Sequence, residues 1–210
     1  MLHPIVAIAC LSALTAAAWA ADVRVLYDFE DPAELAGLRA GSENVSVDLS
    51  QDNGVTRGRS CARVVFAEGE GWGTLVLGAD RIGDWSGYAA VAFDVVQERG
   101  DKWPVNVELW DGASRDYHTR FTTETLVRPG RNTVVVPIDR ARRNGKEGRD
   151  WNELEPQDRI DLGRLTQVKI FINSPRSGGD LVWWVDNVRL LTESALAGPP
   201  IHVDLPAGAQ

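Results

Sequence analysis

Val105-Asn106-Val107-Glu108-Leu109 alternates apolar and polar side chains, and Trp110 follows on the polar parity. Successive side chains of an extended chain point to opposite faces, so this run is a half-buried β-strand with Val105, Val107 and Leu109 turned to a core. The same grammar recurs on both sides. Short β-branched or aromatic runs at 23–29, 45–49, 61–66, 74–77, 89–96, 105–110, 116–122, 133–138, 167–172 and 181–190 are separated by Gly, Pro, Asn and Asp. Such punctuation is that of strands. No long amphipathic helix intervenes between them, which excludes a parallel α/β sheet and predicts an all-β antiparallel sandwich or jelly roll. Helical turns are expected only at 32–38 and 162–165.

The chain has 210 residues, 44% of them hydrophobic, with 22 Lys+Arg against 30 Asp+Glu and a net charge of −8. These values fit one globular domain and exclude a protein that holds nucleic acid through a general basic field. Residues 1–20 contain no Lys, Arg, Asp or Glu, run apolar from Ile5 to Ala18 and close on Ala18-Trp19-Ala20. They read as a cleavable secretory signal too short to span a bilayer, so the protein is expected to be exported, to periplasm or medium, with no membrane span after cleavage. Cys10 leaves with the leader. The single remaining thiol, Cys61, sits in a strand-like run and is expected to be a buried structural residue, since an internal disulfide is impossible. Residues 21–192 form the expected domain. Residues 193–210, rich in Ala, Gly and Pro, read as a disordered tail. The 139–161 stretch, with Arg140, Arg142, Arg143, Lys146 and Arg149, reads as an exposed loop insertion.

Several segments, taken in order, carry a family resemblance. They are Tyr27-Asp28-Phe29-Glu30-Asp31, Gly58-Arg59-Ser60-Cys61-Ala62-Arg63-Val64, Asp84-Trp85-Ser86-Gly87-Tyr88, Pro129-Gly130-Arg131-Asn132-Thr133-Val134 and Trp184-Val185-Asp186-Asn187-Val188-Arg189-Leu190. Together they resemble the galactose-binding-like jelly rolls of carbohydrate-binding modules, above all the family-eleven type. The resemblance implies an antiparallel β-sandwich and a structural calcium between an acidic residue near the first strand and an Asp of the last. Glu30 and Asp186 occupy those positions, with Asp28 as a possible helper. Two carboxylates and loop carbonyls can begin a calcium site. The same residues are equally well used if Glu30 caps a turn and Asp186 accepts backbone hydrogen bonds.

Strand alternation assigns Asp94, Asn106, Glu108, Trp110, His118, Arg120, Lys169, Phe171 and Trp183 to non-core faces. Large aromatic groups gathered on a sheet face mark a binding surface. Sugars suit it, because their C–H faces lie on rings while carboxylates, amides and Arg engage paired hydroxyls. The ligand site expected from sequence is therefore Asp94, Asn106, Glu108, Trp110, His118, Arg120 and Trp183, with a poly- or oligosaccharide as partner. Trp72 and Trp103 fall in loops, at the edge of such a site or over the core.

The leading expectation is an exported, non-catalytic carbohydrate-binding sandwich. A jelly-roll lyase or glycoside hydrolase using Glu108, His118 and Arg120 is the second reading, with Tyr117 as an alternative lyase base to His118, and an envelope adaptor binding protein the third. No nucleophile elbow, phosphate loop, dinucleotide fingerprint or His/Cys metal cluster is present.

Overall fold

The computed structural model describes residues 22–197, and the expected leader and residues 198–210 lie outside them. All strand pairings are antiparallel, in two sheets. One sheet orders β3 (Val45–Ser50), β4 (Cys61–Phe66), β11 (Leu181–Leu191), β6 (Ala90–Gln97) and β9 (Gly130–Pro137), with β1 (Val23–Tyr27) also paired to β11. The other orders β2 (Leu38–Ala40), β5 (Trp72–Leu77), β10 (Leu165–Asn173), β7 (Trp103–Asp111) and β8 (Phe121–Val127). Two short helices, α1 (Ala79–Ile82) and α2 (Glu193–Ala197), complete the regular structure together with 3-10 turns, including Pro32–Gly37 and Leu162–Arg164 where helical turns are expected. The expected tail thus begins with one turn of helix. No described helix is long and apolar enough to cross a membrane.

The core lies between the sheets, where Val91, Phe93 and Val95 of β6 meet Val105, Val107 and Leu109 of β7 and Val168, Ile170 and Ile172 of β10. Alternation predicts each of these triplets correctly. Cys61 is fully buried, and burial pushes its thiol pKa up to about 12, leaving it inert.

β11 departs from simple alternation. Its register against β6 slips between Asp186 and Arg189, and Asn187 takes a φ of 50°. One extra residue in a strand reverses the in/out order beyond it. Leu181, Trp183 and Val185 face the core before the bulge, and Val188 and Leu190 face it afterwards. The sequence reading extends the parity of Val188 and Leu190 back through the strand, which places Trp183 outside. Trp183 is instead wholly buried, its ring edge-on to Phe66 at 5.2 Å, so it belongs to the core and not to a ligand site.

Residues 116–122 are the second departure. The strand expected there starts only at Phe121, and Asp116–Arg120 forms a turn. Its own side chains account for the change: Thr119 Oγ1 accepts from the Arg115 and Asp116 amides at 2.8 and 2.9 Å, and Asp116 Oδ1 accepts from the Thr119 amide at 3.0 Å. Short polar side chains that bond the backbone locally compete with sheet pairing.

The 139–161 stretch is not a solvated loop throughout. Ala141, Leu154 and Ile160 are buried, and Lys146 pairs with Asp158 at 3.2 Å. Arg143 is 9% exposed and forms a two-pronged ion pair with buried Asp111, Nη1 to Oδ1 at 3.1 Å and Nη2 to Oδ2 at 2.8 Å.

Trp183→Ala removes a fully buried ring from the core. Denaturant unfolding should show a loss of about 3–5 kcal/mol; a near-neutral result would place the ring outside the core after all.

Candidate functional site

The outer face of the five-stranded sheet is laid out by register. One row runs Thr74, Phe171, Asn106, Glu124, and the next runs Arg39, Val76, Lys169, Glu108, Thr122. Trp72 opens β5 at one end of this face, and Trp110 lies two residues beyond Glu108 at the other. Between them is an open cleft of about 470 Å³ lined by Trp72, Thr74, Asn106, Glu108, Tyr117, Arg120, Thr122, Lys169 and Phe171. No lining residue comes from 139–161, so that insertion leaves the face uncovered.

Trp72 is 51% exposed and Tyr117 53%, high values for such large rings. Trp72 stands edge-on to Phe171 at 5.2 Å, giving the cleft an apolar corner. The polar centre is Glu108, only 2% exposed. Its Oε2 meets Arg120 Nη2 at 3.0 Å, and its Oε1 meets Lys169 Nζ at 3.3 Å and accepts from the Trp110 indole N–H. Trp110 also underlies both cations, with Lys169 Nζ 5.1 Å and the Arg120 guanidinium carbon 5.3 Å from its ring centre. Tyr117 covers the same guanidinium at 5.4 Å. Arg120 is therefore fixed by one carboxylate and two rings.

Arg120 and Tyr117 belong to the turn, so something must hold that turn against the sheet. Arg143 does so. While paired with Asp111 it also donates to the Thr119 carbonyl and, through Nε, to the Gln157 carbonyl at 2.7 Å. Asn144 completes the attachment: its amide donates to the Arg120 carbonyl at 2.8 Å, its Nδ2 to the Tyr117 carbonyl at 2.9 Å, and its Oδ1 accepts from the Thr122 amide at 2.9 Å. Burial alone would raise the pKa of Asp111. The Arg143 guanidinium, the Asp161 amide and the Ser114 hydroxyl outweigh that effect and hold it at about 2.

Of the residues expected from sequence, Asn106, Glu108 and Arg120 line the cleft and Trp110 supports it. Three do not join them. His118 is exposed on the turn with its ring against Tyr117 and does not line the cleft. Trp183 is core. Asp94 lies on the outer face of the other sheet, buried in a network of its own: Oδ1 accepts from Thr133 at 2.8 Å and pairs with Arg189 at 3.3 Å, and Oδ2 accepts from Thr56 at 2.9 Å and Asn187 at 3.1 Å. Asp94 and Glu108 therefore sit on opposite outsides of the sandwich. Thr74 and Thr122 join the site unannounced, while Trp72, expected in a loop at its edge or over the core, opens β5 and lines the cleft, and Tyr117 enters it from outside the expected ligand set. Trp72 carried a signal, a tryptophan in a glycine-rich stretch, whereas Tyr117 depends on a long-range clamp that no local pattern reveals.

The pair proposed for calcium is used differently. Glu30 Oε1 accepts from the Arg59 and Ser60 amides at 2.6 and 2.8 Å, and the first of these bonds holds its carboxyl below the usual range. Asp186 Oδ2 accepts from the Thr56 amide at 2.6 Å, the Thr56 hydroxyl at 2.9 Å and the Arg57 amide at 2.8 Å, while burial raises its pKa. Asp28 Oδ1 accepts from the Glu30 amide at 3.3 Å. Both carboxylates thus grip the 55–60 segment by its N–H groups. Gly58, at φ 76°, belongs to this grip, since a Cβ there would come 2.4 Å from the Glu30 carboxylate. No group of three or more His, Cys, Asp or Glu able to hold a metal occurs among the described residues.

A larger recess of about 570 Å³ beside Glu30 is lined by no aromatic ring.

No protein-family model and no curated protein matches the chain. Solved structures do match. A family 11 carbohydrate-binding module from Clostridium thermocellum, in complex with a beta-1,3-1,4-mixed-linked tetrasaccharide, is 17% identical over 81% of this chain and 96% of its own, with a TM-score of 0.54. The solution structure of CtCBM11 is 18% identical over 83% and 98%, at 0.57. An exo-beta-agarase aligns at 0.61 with 14% identity, over 84% of this chain but 25% of the enzyme. The chain thus has the β-sandwich fold of the carbohydrate-binding modules, and it spans about a quarter of the agarase.

The clamp gives the fold an acid limit. A carboxyl whose pKa is depressed on folding stabilises fully above its unfolded value of 3.8, and the contribution is lost as the pH falls towards about 2. Asp111→Asn should be clearly less stable than the parent at pH 6, with the gap closing between pH 4 and pH 2. A gap that stays constant with pH would mean that Asp111 is not ionised in the clamp.

Proposed function

We propose that the protein is an exported carbohydrate-binding domain that holds an oligo- or polysaccharide in the cleft on its five-stranded sheet and does not cleave it. The observation that carries this reading is the exposed Trp72–Phe171 corner beside Asn106, Arg120 and Lys169 on a sheet face left open. A sugar ring presents an apolar C–H face and an equatorial belt of hydroxyls, and this cleft offers rings for the first and an amide and two cations for the second. The fold shared with a module solved with a bound tetrasaccharide supports the same reading. Export rests on the leader-like residues 1–20.

Glycoside hydrolysis is less well served. Classical glycosidases set two carboxyl groups about 5–9.5 Å apart, yet Glu108 is the single carboxylate lining the cleft, and its oxygens are occupied by Trp110, Lys169 and Arg120. A lyase reading loses His118 from the cleft and keeps Tyr117, its other candidate base, beside Arg120.

Trp72→Ala tests the proposal. Against a panel of soluble glycans, the variant should lose about 2 kcal/mol or more of binding, roughly thirtyfold in Kd, as a central aromatic anchor does. Its unfolding free energy should change by about 0.5 kcal/mol or less. Glycan binding that survives the substitution would remove the cleft from consideration, and release of new reducing ends would make the protein an enzyme.

We infer further that Glu30 and Asp186 anchor the 55–60 segment without a metal. A chelator should leave both the Tm and glycan binding unchanged; a fall in Tm reversed by added calcium would restore the calcium reading.

A further inference from the structure

The charge of the cleft differs from that of the chain around it. The whole protein carries −8, but the charged residues lining the cleft are Lys169, Arg120 and Glu108, one positive charge in excess. The other charged groups on this face nearly balance: Arg39 continues the Lys169 row on β2, and Glu124 faces Asn106 on β8, both exposed and neither lining the cleft. Glu108, at the floor, offsets one cation and is itself almost inaccessible. Lys169 and Arg120 keep about a quarter and a fifth of their side-chain surface open. The Arg120 Nε is buried with no hydrogen-bond partner.

Holding two cations at one carboxylate has an electrostatic cost. Their mutual repulsion is only partly relieved by Glu108 and the faces of Trp110 and Tyr117. A neutral sugar offers such a pair only hydroxyl oxygens. A carboxylate or sulfate offers charge-assisted bonds to both, about twice as strong as neutral ones, and cancels the excess charge.

We propose that the cleft selects an anionic glycan, whose carboxylate or sulfate group is taken by Lys169 and Arg120 while the sugar ring lies against Trp72 and Phe171. This inference rests on the carbohydrate-binding reading above. Because the chain is net negative, long-range attraction does not draw polyanions to it, and discrimination must arise locally at the cleft.

Calorimetric titration with matched glycan pairs tests the proposal. Oligogalacturonate is compared with its carboxyl-reduced form, and κ-carrageenan oligosaccharide with its desulfated form, with mixed-linkage β-glucan and agarose oligosaccharides as neutral probes. At least one charged member should bind tenfold or more tightly than its neutral twin, and the pair that shows the preference tells carboxylate from sulfate. Lys169→Gln leaves Glu108 paired with Arg120 and should bring the ratio close to one at unchanged Tm. Should that variant misfold, the parent protein still decides the matter, since added salt should weaken the charged member and spare the neutral one. Equal or tighter binding of the neutral members overturns the charge selection and leaves the carbohydrate reading standing. A folded protein that binds no member of the panel overturns both.

Discussion

The buried pair between Asp111 and Arg143 is the contact on which the binding face depends. Asp111 closes β7, Arg143 comes from an insertion thirty-two residues later, and between them lies the turn that carries Tyr117 and Arg120. Buried ion pairs return little net stability against hydrophobic replacements, but breaking one strands a charge in the interior. The pair therefore matters less for how stable the sandwich is than for where the turn sits. Its guanidinium reads the geometry on several sides at once, with bonds to a carboxylate and to the Thr119 and Gln157 carbonyls. The sheet supplies a flat row of side chains, and the clamped turn adds a wall.

Wall and row use different physics. On the row, the pleat fixes Asn106, Glu108, Lys169 and Phe171 on one side because their neighbours fill the core, so the orientation of these side chains follows from hydrophobic burial. Arg120 and Tyr117 have no such support and are held by polar contacts. The cleft thus joins a rigid floor to an edge whose position is set by hydrogen bonds, and Glu108 links the two by pairing with Lys169 of the floor and Arg120 of the wall.

The fold was legible in the sequence because alternation and turn residues agree in most strands, as in 105–109, where each side chain faces as its chemistry predicts. The site was legible only where the floor is concerned. Asn106, Glu108 and Trp110 follow from period-two reasoning, whereas Trp183 was misplaced because a single residue, Asn187, breaks the period, and Asn is common enough that no signal marks it as a bulge. Asp94 was assigned to the correct side of its own strand. Sheet membership was what alternation lacks: it tells in from out without telling which outside. Alternation alone sets His118 and Arg120 on one face of a strand, and the Asp116–Thr119 hydrogen bonds that make the segment a turn are a local pattern whose strength against pairing depends on Arg143 far along the chain.

The pairing of β1 with the end of β11 sets how the domain responds to pulling. Val23 lies opposite Leu191, and Asp22 is hydrogen-bonded to Thr192 and Ser194, so both ends of the described chain leave from the same corner. Tension applied through the two termini loads the last rung of that ladder first and opens the rungs one by one, instead of shearing them together. The β1–β11 seam is then the domain's mechanical weak point. The cleft, on the opposite sheet, is spared until the seam has opened, and a ligand held there would not feel a modest load on the tethers.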